Sequence, residues 1–306
     1  MGGTDGGTDG GTDGVMRVDL QQSGQLQQVL HRHDFHFKKK LGQNFLINSG
    51  VLDAIVAAAD LIATDGVFEI GPGAGTVTRR LAQRAQRVLA VEKDRSLQPV
   101  LQEVLDGVSN VQVHFGDVLE EDLAVMWRTF SDCTGVSIVA NLPYYVTTPI
   151  LFHLLDSGVS FHTAVVMVQK EVADRLTAPP GGKEYGALTV AVQYRARVEK
   201  VLQVSRGSFT PAPNVDSTVV RLRPYPTPPV SVKDEQVLFA VVRAAFATRR
   251  KTLLNSLAVG MGVKKEDAAK ALATACIPSQ RRGETLSLEE FAVLANAWEP
   301  QRATRD

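Results

Sequence analysis

Val67-Phe68-Glu69-Ile70-Gly71-Pro72-Gly73-Ala74-Gly75-Thr76 decides the fold. A short β-branched and aromatic run ends in a glycine-rich turn, and from Thr76 to Ala85 the chain has helical spacing. A strand that passes into a helix through such a turn opens a βαβ unit. Glycine is required there because the backbone turns tightly and approaches a ligand with no Cβ in the way. The spacing is GxGxG, not GxGxxG, and no Gly-Lys-Ser/Thr follows, which excludes an ordinary P-loop. The turn alone does not separate the sites that use one, whether for NAD, FAD or S-adenosylmethionine.

Outward from this stretch the alternation continues. Val88–Val91, Val111–Val113, Val136–Val139 and Ala164–Val168 read as strands, and Ser96–Leu105 reads as a helix. Strands alternating with helices imply a parallel sheet covered on both faces. Residues 185–223 are mixed, with a strand expected over Val215–Arg223. After the proline-rich segment Pro224–Pro229, helical spacing takes over at Asp234–Thr248 and Ser287–Trp298, with Thr285 or Ser287 as the cap of the latter. The expected fold class is therefore α/β, a Rossmann-like sheet followed by a smaller all-helical C-terminal domain. The division is a tail and N-terminal lead over residues 1–30, a sheet domain over 31–225 and a helical domain over 226–306. Residues 1–14, MGGTDGGTDGGTDG, hold no apolar side chain besides Met1 and are expected to be disordered.

Three polar positions follow the glycine turn at strand ends. Glu92 lies 21 residues past Gly71, where an acidic side chain can accept from both hydroxyls of a ribose. Asp117 lies 25 residues past Glu92 and could accept from an adenine amino group. Either carboxylate alone could instead cap a helix. Asn141-Leu142-Pro143-Tyr144-Tyr145 stands 24 residues past Asp117, after the fourth strand. An exocyclic amine is a poor nucleophile because its lone pair is delocalised into the ring. The Asn141 side-chain oxygen and a backbone carbonyl near Leu142 can hold the amine hydrogens while the nitrogen pyramidalises. Pro143 stiffens the loop, and Tyr144 offers a ring on which an extruded base can stack. No strong general base is needed, because the proton can leave after transfer.

The chain has 306 residues with 33 Lys+Arg against 33 Asp+Glu. A formal charge of zero speaks against a nucleic-acid partner until its distribution is examined. Between Asp53 and Asp132 stand 13 acidic and 7 basic residues, whereas Arg243–Gly283 holds nine basic and two acidic ones. A second basic knot is Lys38-Lys39-Lys40. Such asymmetry suggests an anionic partner, although each run alone also suits a solvated helix face. Cys133 and Cys276 show no metal-ligand or disulfide pattern, and no apolar run is long enough for a membrane helix. The N-terminus lacks the pattern of a signal peptide.

From about Phe37 to Trp298 the chain resembles the 16S rRNA adenine N6-dimethyltransferase family. The resemblance rests on motifs in family order: Lys39-Lys40-Leu41-Gly42-Gln43-Asn44-Phe45-Leu46, the glycine turn, Glu92, Asp117 and Asn141-Leu142-Pro143-Tyr144. These are followed by Gln169–Leu176, Ser208-Phe209-Thr210-Pro211-Ala212-Pro213-Asn214-Val215-Asp216-Ser217 and Phe246–Leu253. The resemblance implies that Asn44, Leu46, Gly71, Gly73, Glu92, Asp117 and Asn141 bind S-adenosylmethionine. Asn141, Leu142, Pro143, Tyr144 and Phe209 would form the catalytic site, with the two rings sandwiching the adenine. Arg249, Arg250, Lys251, Arg281 and Arg282 would bind RNA backbone. The implied reaction is dimethylation of N6 on two adjacent adenosines in the 3′-terminal hairpin loop of 16S rRNA, in an immature small subunit. No metal and no membrane are implied, and a cytoplasmic monomer is expected. Pro179–Gly182 and Ser256–Ile277 depart from the family pattern.

Three other readings compete. A 23S rRNA adenine methylase of the macrolide-resistance type shares the sheet and a similar Asn-Pro-aromatic motif. An NAD-dependent oxidoreductase would use the glycine turn and Glu92, but no catalytic Tyr-x-x-x-Lys accompanies them. An assembly factor without turnover would retain the fold, against the intact acidic positions and the Asn141 loop.

Overall fold

The computed structural model describes residues 23–248 and 250–298. The expectations for the glycine-rich tail and for Arg249 lie outside the described residues. The chain enters through helix α1 (Ser23–Arg32), strand β1 (Phe45–Leu46) and helix α2 (Ser49–Ala58). Alternating units follow: β2 (Gly66–Ile70), α3 (Thr76–Ala82), β3 (Arg87–Glu92), α4 (Gln98–Val104), β4 (Val111–Phe115) and α5 (Leu123–Trp127). Next come β5 (Val136–Asn141), α6 (Thr147–Asp156), β6 (Thr163–Gln169), α7 (Lys170–Leu176) and α8 (Ala187–Arg195). Strands β7 (Ala196–Val204), β8 (Phe209–Thr210) and β9 (Ser217–Pro224) precede helices α9 (Glu235–Ala247), α10 (Leu253–Gly260), α11 (Lys265–Thr274) and α12 (Leu288–Ala297).

Seven strands form one sheet in the order β4-β3-β2-β5-β6-β9-β7. Strands β2 to β6 are parallel, β9 runs antiparallel beside β6, and β7, antiparallel to β9, again runs with the rest at the edge. The four central runs β2, β3, β5 and β6 are almost continuously apolar because both faces are covered, whereas β4 at the edge is only partly buried. Val67, Val88, Val139 and Val165 pack on α2 and α3 through Leu52, Ile55 and Leu81. Phe68, Leu89, Ile138 and Val166 pack on the other face against Leu123, Leu151 and Leu154. The order reverses at β2, whose neighbours are β3 and β5. Ligands of such sheets bind at the carboxyl ends of the strands beside that reversal.

Sequence spacing left residues 185–223 mixed, and the structure divides them among α8, the edge strand β7, the short β8 and most of β9. On β7, Arg197, Lys200 and Gln203 are exposed, Glu199 is half-buried against Arg221 and Arg223, and the register against β9 slips between Lys200 and Leu202. A charged, irregular edge strand carries little of the alternation that marks a half-buried one. A two-stranded ladder pairs Leu46 with Phe209 and fastens the N-terminal segment to the loop before β9.

Beyond Pro224 the described residues form helices only. Asp234 caps α9 by accepting from Gln236 N at 2.7 Å. Ser287, one of the two expected caps, closes α12 with Glu290: each side chain accepts from the other residue's backbone N–H, at 3.2 and 2.9 Å. The helices share an apolar core of Leu238, Val242, Leu253, Leu257, Leu272 and Phe291. Tyr185, Val190 and Tyr194, which precede the proline-rich segment, belong to the same core.

Candidate active site

The glycine loop, the ends of β3 and β5, the segment after β4 and the 41–46 segment enclose one cleft. Its cavity volume is about 120 Å³. It is lined by Asn44, Leu46, Gly71, Gly73, Glu92, Asp117, Asn141, Leu142, Pro143, Tyr144 and Phe209. The structure thus gathers into one cavity every residue that the resemblance implied for cofactor and base. They come from positions as far apart as 44 and 209, which the two sheets bring together.

The loop adopts a backbone that side chains resist. Gly71, Gly73 and Gly75 have φ of +70°, +57° and +79°. A Cβ on Gly73 would also stand 3.1 Å from the Phe45 ring, closer than side-chain carbons normally come. The Gly71 N–H donates to Val91 O at 2.9 Å, which anchors the loop to β3.

Glu92 is buried, at 7% exposure, and its carboxylate accepts from Gly73 N at 3.1 Å and Asp94 N at 2.7 Å. Burial outweighs those hydrogen bonds and pushes its pKa up to about 7. Beneath it, Glu69 is raised to about 8, chiefly by burial, with the Glu92 charge adding to the rise. Glu69 Oε2 has no hydrogen-bond partner among the described residues. Asp117 behaves differently. Partial burial would raise its pKa, but the Lys93 ammonium and the Leu119 N–H hold it below the ordinary value. Asp117 therefore does cap the turn that follows it, and it also lines the cleft.

Sequence reasoning did not single out Asp94. Its buried carboxylate accepts from Lys38 Nζ and Gln43 Nε2, both at 2.6 Å, and from Ser96 N and Oγ at 3.0 and 2.7 Å. Burial opposes this, but the donors prevail and its pKa is lowered. Asp94 thereby ties the 38–44 segment across the cleft to the same strand end that carries Glu92. The only sequence signal was its place two residues past Glu92.

At the end of β5 the Asn141 Nδ2 faces Asn44 O at 3.5 Å, which leaves Oδ1 as the acceptor for a ligand. Leu142 is buried, at 1% exposure. The Pro143 carbonyl is taken up by the turn, accepting from Val146 N at 3.1 Å and Thr147 Oγ1 at 3.2 Å. The Tyr144 hydroxyl is 2.7 Å from Oγ of Ser217, a fully buried residue opening β9. Phe209 is buried and held by the ladder with Leu46.

Outside the cleft, Arg250, Lys251 and Arg282 stand exposed on the helical part. Arg281 does not stand free beside them. Its guanidinium donates to both oxygens of Glu290 and to Thr285 Oγ1 and O. Adjacent arginines thus differ in availability, which no sequence pattern marks. Among the described residues no group of three or more His, Cys, Asp or Glu side chains could hold a metal ion, and no helix is long and apolar enough to cross a membrane.

A mainly parallel sheet with β9 antiparallel, a GxGxG loop, acidic residues at successive strand ends and the Asn141-Leu142-Pro143-Tyr144 loop in one cleft fit the class of methyltransferases that use a nucleoside cofactor. The chain belongs to the ribosomal RNA adenine dimethylase family, whose profile matches residues 34–294. It is 50% identical over 289 residues to ribosomal RNA small subunit methyltransferase A of Geobacillus thermodenitrificans, covering 93% of this chain and 99% of that one. The protein of that name from Bacillus mycoides is 49% identical over 91% of this chain and 97% of its own length. Among solved structures, a dimethyladenosine transferase from Plasmodium falciparum is 27% identical with a TM-score of 0.69, covering 82% of this chain and 95% of that chain. The 23S rRNA methyltransferase ErmE is 26% identical with a TM-score of 0.64, covering 83% and 99%.

Proposed function

We propose that this enzyme dimethylates N6 of two adjacent adenosines in the 3′-terminal hairpin loop of 16S rRNA, in an immature small subunit, using S-adenosylmethionine. The observation that carries the reading is the single cleft in which the acidic strand ends meet the Asn141-Leu142-Pro143-Tyr144 loop. The two solved structures match almost equally well, so the fold does not separate small-subunit from 23S substrates. The near-50% identity to small-subunit enzymes over nearly their whole length favours the former.

The residues present suit the cofactor. The side-chain-free cradle at Gly71 and Gly73 leaves room for its methionine part, the Glu92 carboxylate for its ribose and Asp117 for its adenine, with Asn44 and Leu46 closing from the N-terminal side. When bound, S-adenosylmethionine supplies an electrophilic methyl group. The chain's own work is positional. Asn141 Oδ1 and the Leu142 carbonyl accept the two amine hydrogens, which turns the nitrogen lone pair out of the ring plane. Pro143 fixes the loop, and Tyr144 and Phe209 clamp the base. The proton leaves once the nitrogen carries positive charge, so no resident base is required. Arg249, Arg250, Lys251 and Arg282 draw in the phosphate backbone, while the Arg281 donors brace the helical part. The working division remains a sheet domain to about residue 225 and a helical RNA-binding domain after it, in a monomer acting in the cytoplasm.

A competition assay tests the substrate. Offered immature small subunits and free 23S rRNA together, the enzyme is expected to label the former. Preferential labelling of 23S rRNA would favour the macrolide-resistance type instead.

A further inference from the structure

Two consecutive tyrosines follow the end of β5 and differ in exposure. Tyr144 is half-buried, its hydroxyl tied to buried Ser217. Tyr145 is 57% exposed, yet it lines the same cleft at the rim. One side of its ring rests on the 41–46 segment. Gly42 has φ +62°, and a Cβ there would meet ring carbons Cδ1 and Cε1 of Tyr145 at 3.8 Å and Pro143 Cβ at 3.6 Å. The ring is thus supported by the chain beneath it while much of its surface meets water, beside the opening through which a base must enter.

An aromatic ring held at a pocket mouth fits one chemistry above others in a protein that acts on single-stranded RNA loops. Drawing one base into the cleft unstacks it from its neighbour and leaves that neighbour with an uncovered π-face. We infer that Tyr145 is a second base platform: the nucleobase adjoining the one in the catalytic cleft stacks on the exposed side of its ring. The inference rests on the proposed rRNA substrate and deepens it. Tyr144 and Phe209 hold the adenine being methylated, and Tyr145 holds its neighbour, which keeps two successive adenosines in register with one cleft. Lys93, whose side chain is 56% exposed, is ion-paired to Asp117 of the same cleft.

The test uses the full-length enzyme, immature small subunits, and an RNA hairpin in which 2-aminopurine replaces the adenosine adjoining the target. Stacking on an aromatic ring quenches that probe. Wild type and Tyr145→Phe are expected to quench it, and Tyr145→Ala is not. Because base stacking on a side chain contributes about 1–3 kcal/mol, Tyr145→Ala should raise KM for the small subunit about tenfold or more. Affinity for S-adenosylhomocysteine should stay as in wild type. A Tyr145→Ala enzyme that quenches normally, or that loses cofactor affinity with KM for RNA unchanged, would overturn the proposal and make Tyr145 a roof of the cofactor cleft. Wild type that transfers no methyl to small-subunit adenosines would remove the substrate reading itself. Wild type that does so, beside an unaffected Tyr145→Ala enzyme, overturns the platform alone.

Discussion

The sheet part and the helical part use charge in opposite ways. At the strand ends the acids are buried or, at Asp117, partly buried, and their protonation is set by the fold: Glu69 and Glu92 are pushed up to about 8 and 7, while Asp94 and Asp117 are held down by cations and N–H donors. On the helical part Arg250, Lys251 and Arg282 stay exposed. On the proposed function, the contrast follows from what each region would hold. A cofactor's hydroxyls and amino group need acceptors at fixed points, and fixing a carboxylate in a cleft costs desolvation. A phosphate chain needs only positive potential over a broad surface, which solvated side chains supply with little strain. Net charge, being the sum of the two, describes neither.

The largest effect should come from the cleft. Asn141→Ala is expected to lower methyl transfer by about a hundredfold or more, the usual cost of losing a pre-set group at the reacting atom. Calorimetry with S-adenosylhomocysteine should find most cofactor affinity retained, and retained turnover would remove Asn141 from its role. Next comes the exposed surface. Reversing Arg250 and Lys251 together should weaken RNA binding about tenfold near 0.1 M salt and flatten the slope of log K against log salt. An unchanged slope would break the assignment of RNA to the helical part.

Glu92→Gln should separate stability from function. A folded pKa of about 7 against an ordinary 4.5 means that the folded protein keeps a proton that the unfolded chain has released. Stability associated with this group is therefore greatest at low pH and falls as pH rises from about 4.5 to about 7. The variant escapes that loss, so at pH 8 its melting temperature should rise by about 2–4 °C, while replacing one acceptor oxygen by an NH2 donor lowers cofactor affinity about tenfold or more. A melting temperature that falls at pH 8 would contradict the burial cost. In wild type, cofactor affinity should decline as pH drops below about 7, when Glu92 takes up its proton.

The smallest effect distinguishes neighbours. Arg281→Ala should cost about 1 kcal/mol of stability through the lost Glu290 contacts and leave the salt slope nearly intact, whereas Arg282→Ala should do the reverse. Equal effects on RNA binding would erase the distinction between them.

Much of this was legible along the chain. The central strands announced themselves because burial on both faces demands unbroken Val, Ile and Leu runs, and the glycine loop, Glu92, Asp117 and Asn141 follow at strand-to-strand intervals. What was hidden depends on contacts between distant segments. Lys38 and Gln43 reach Asp94 across more than fifty residues, and Tyr144 reaches Ser217 across 73. The edge strand β7 escaped because its outer face is charged, and the helical core's use of Tyr185 and Tyr194 crosses the proline-rich segment that looked like a boundary. The choice between Arg281 and Arg282 turned on a Glu290 nine residues away, which serves the α12 cap as well.

The most direct test of the division between an acidic catalytic cleft and a basic RNA-holding surface is to map labelled methyl groups on small subunits from cells lacking the enzyme. After incubation with wild type, two neighbouring adenosines in the 3′-terminal hairpin should each carry two methyl groups, and Asn141→Ala should leave both bare. Label on a single distant adenosine, or on large-subunit RNA, would contradict the account.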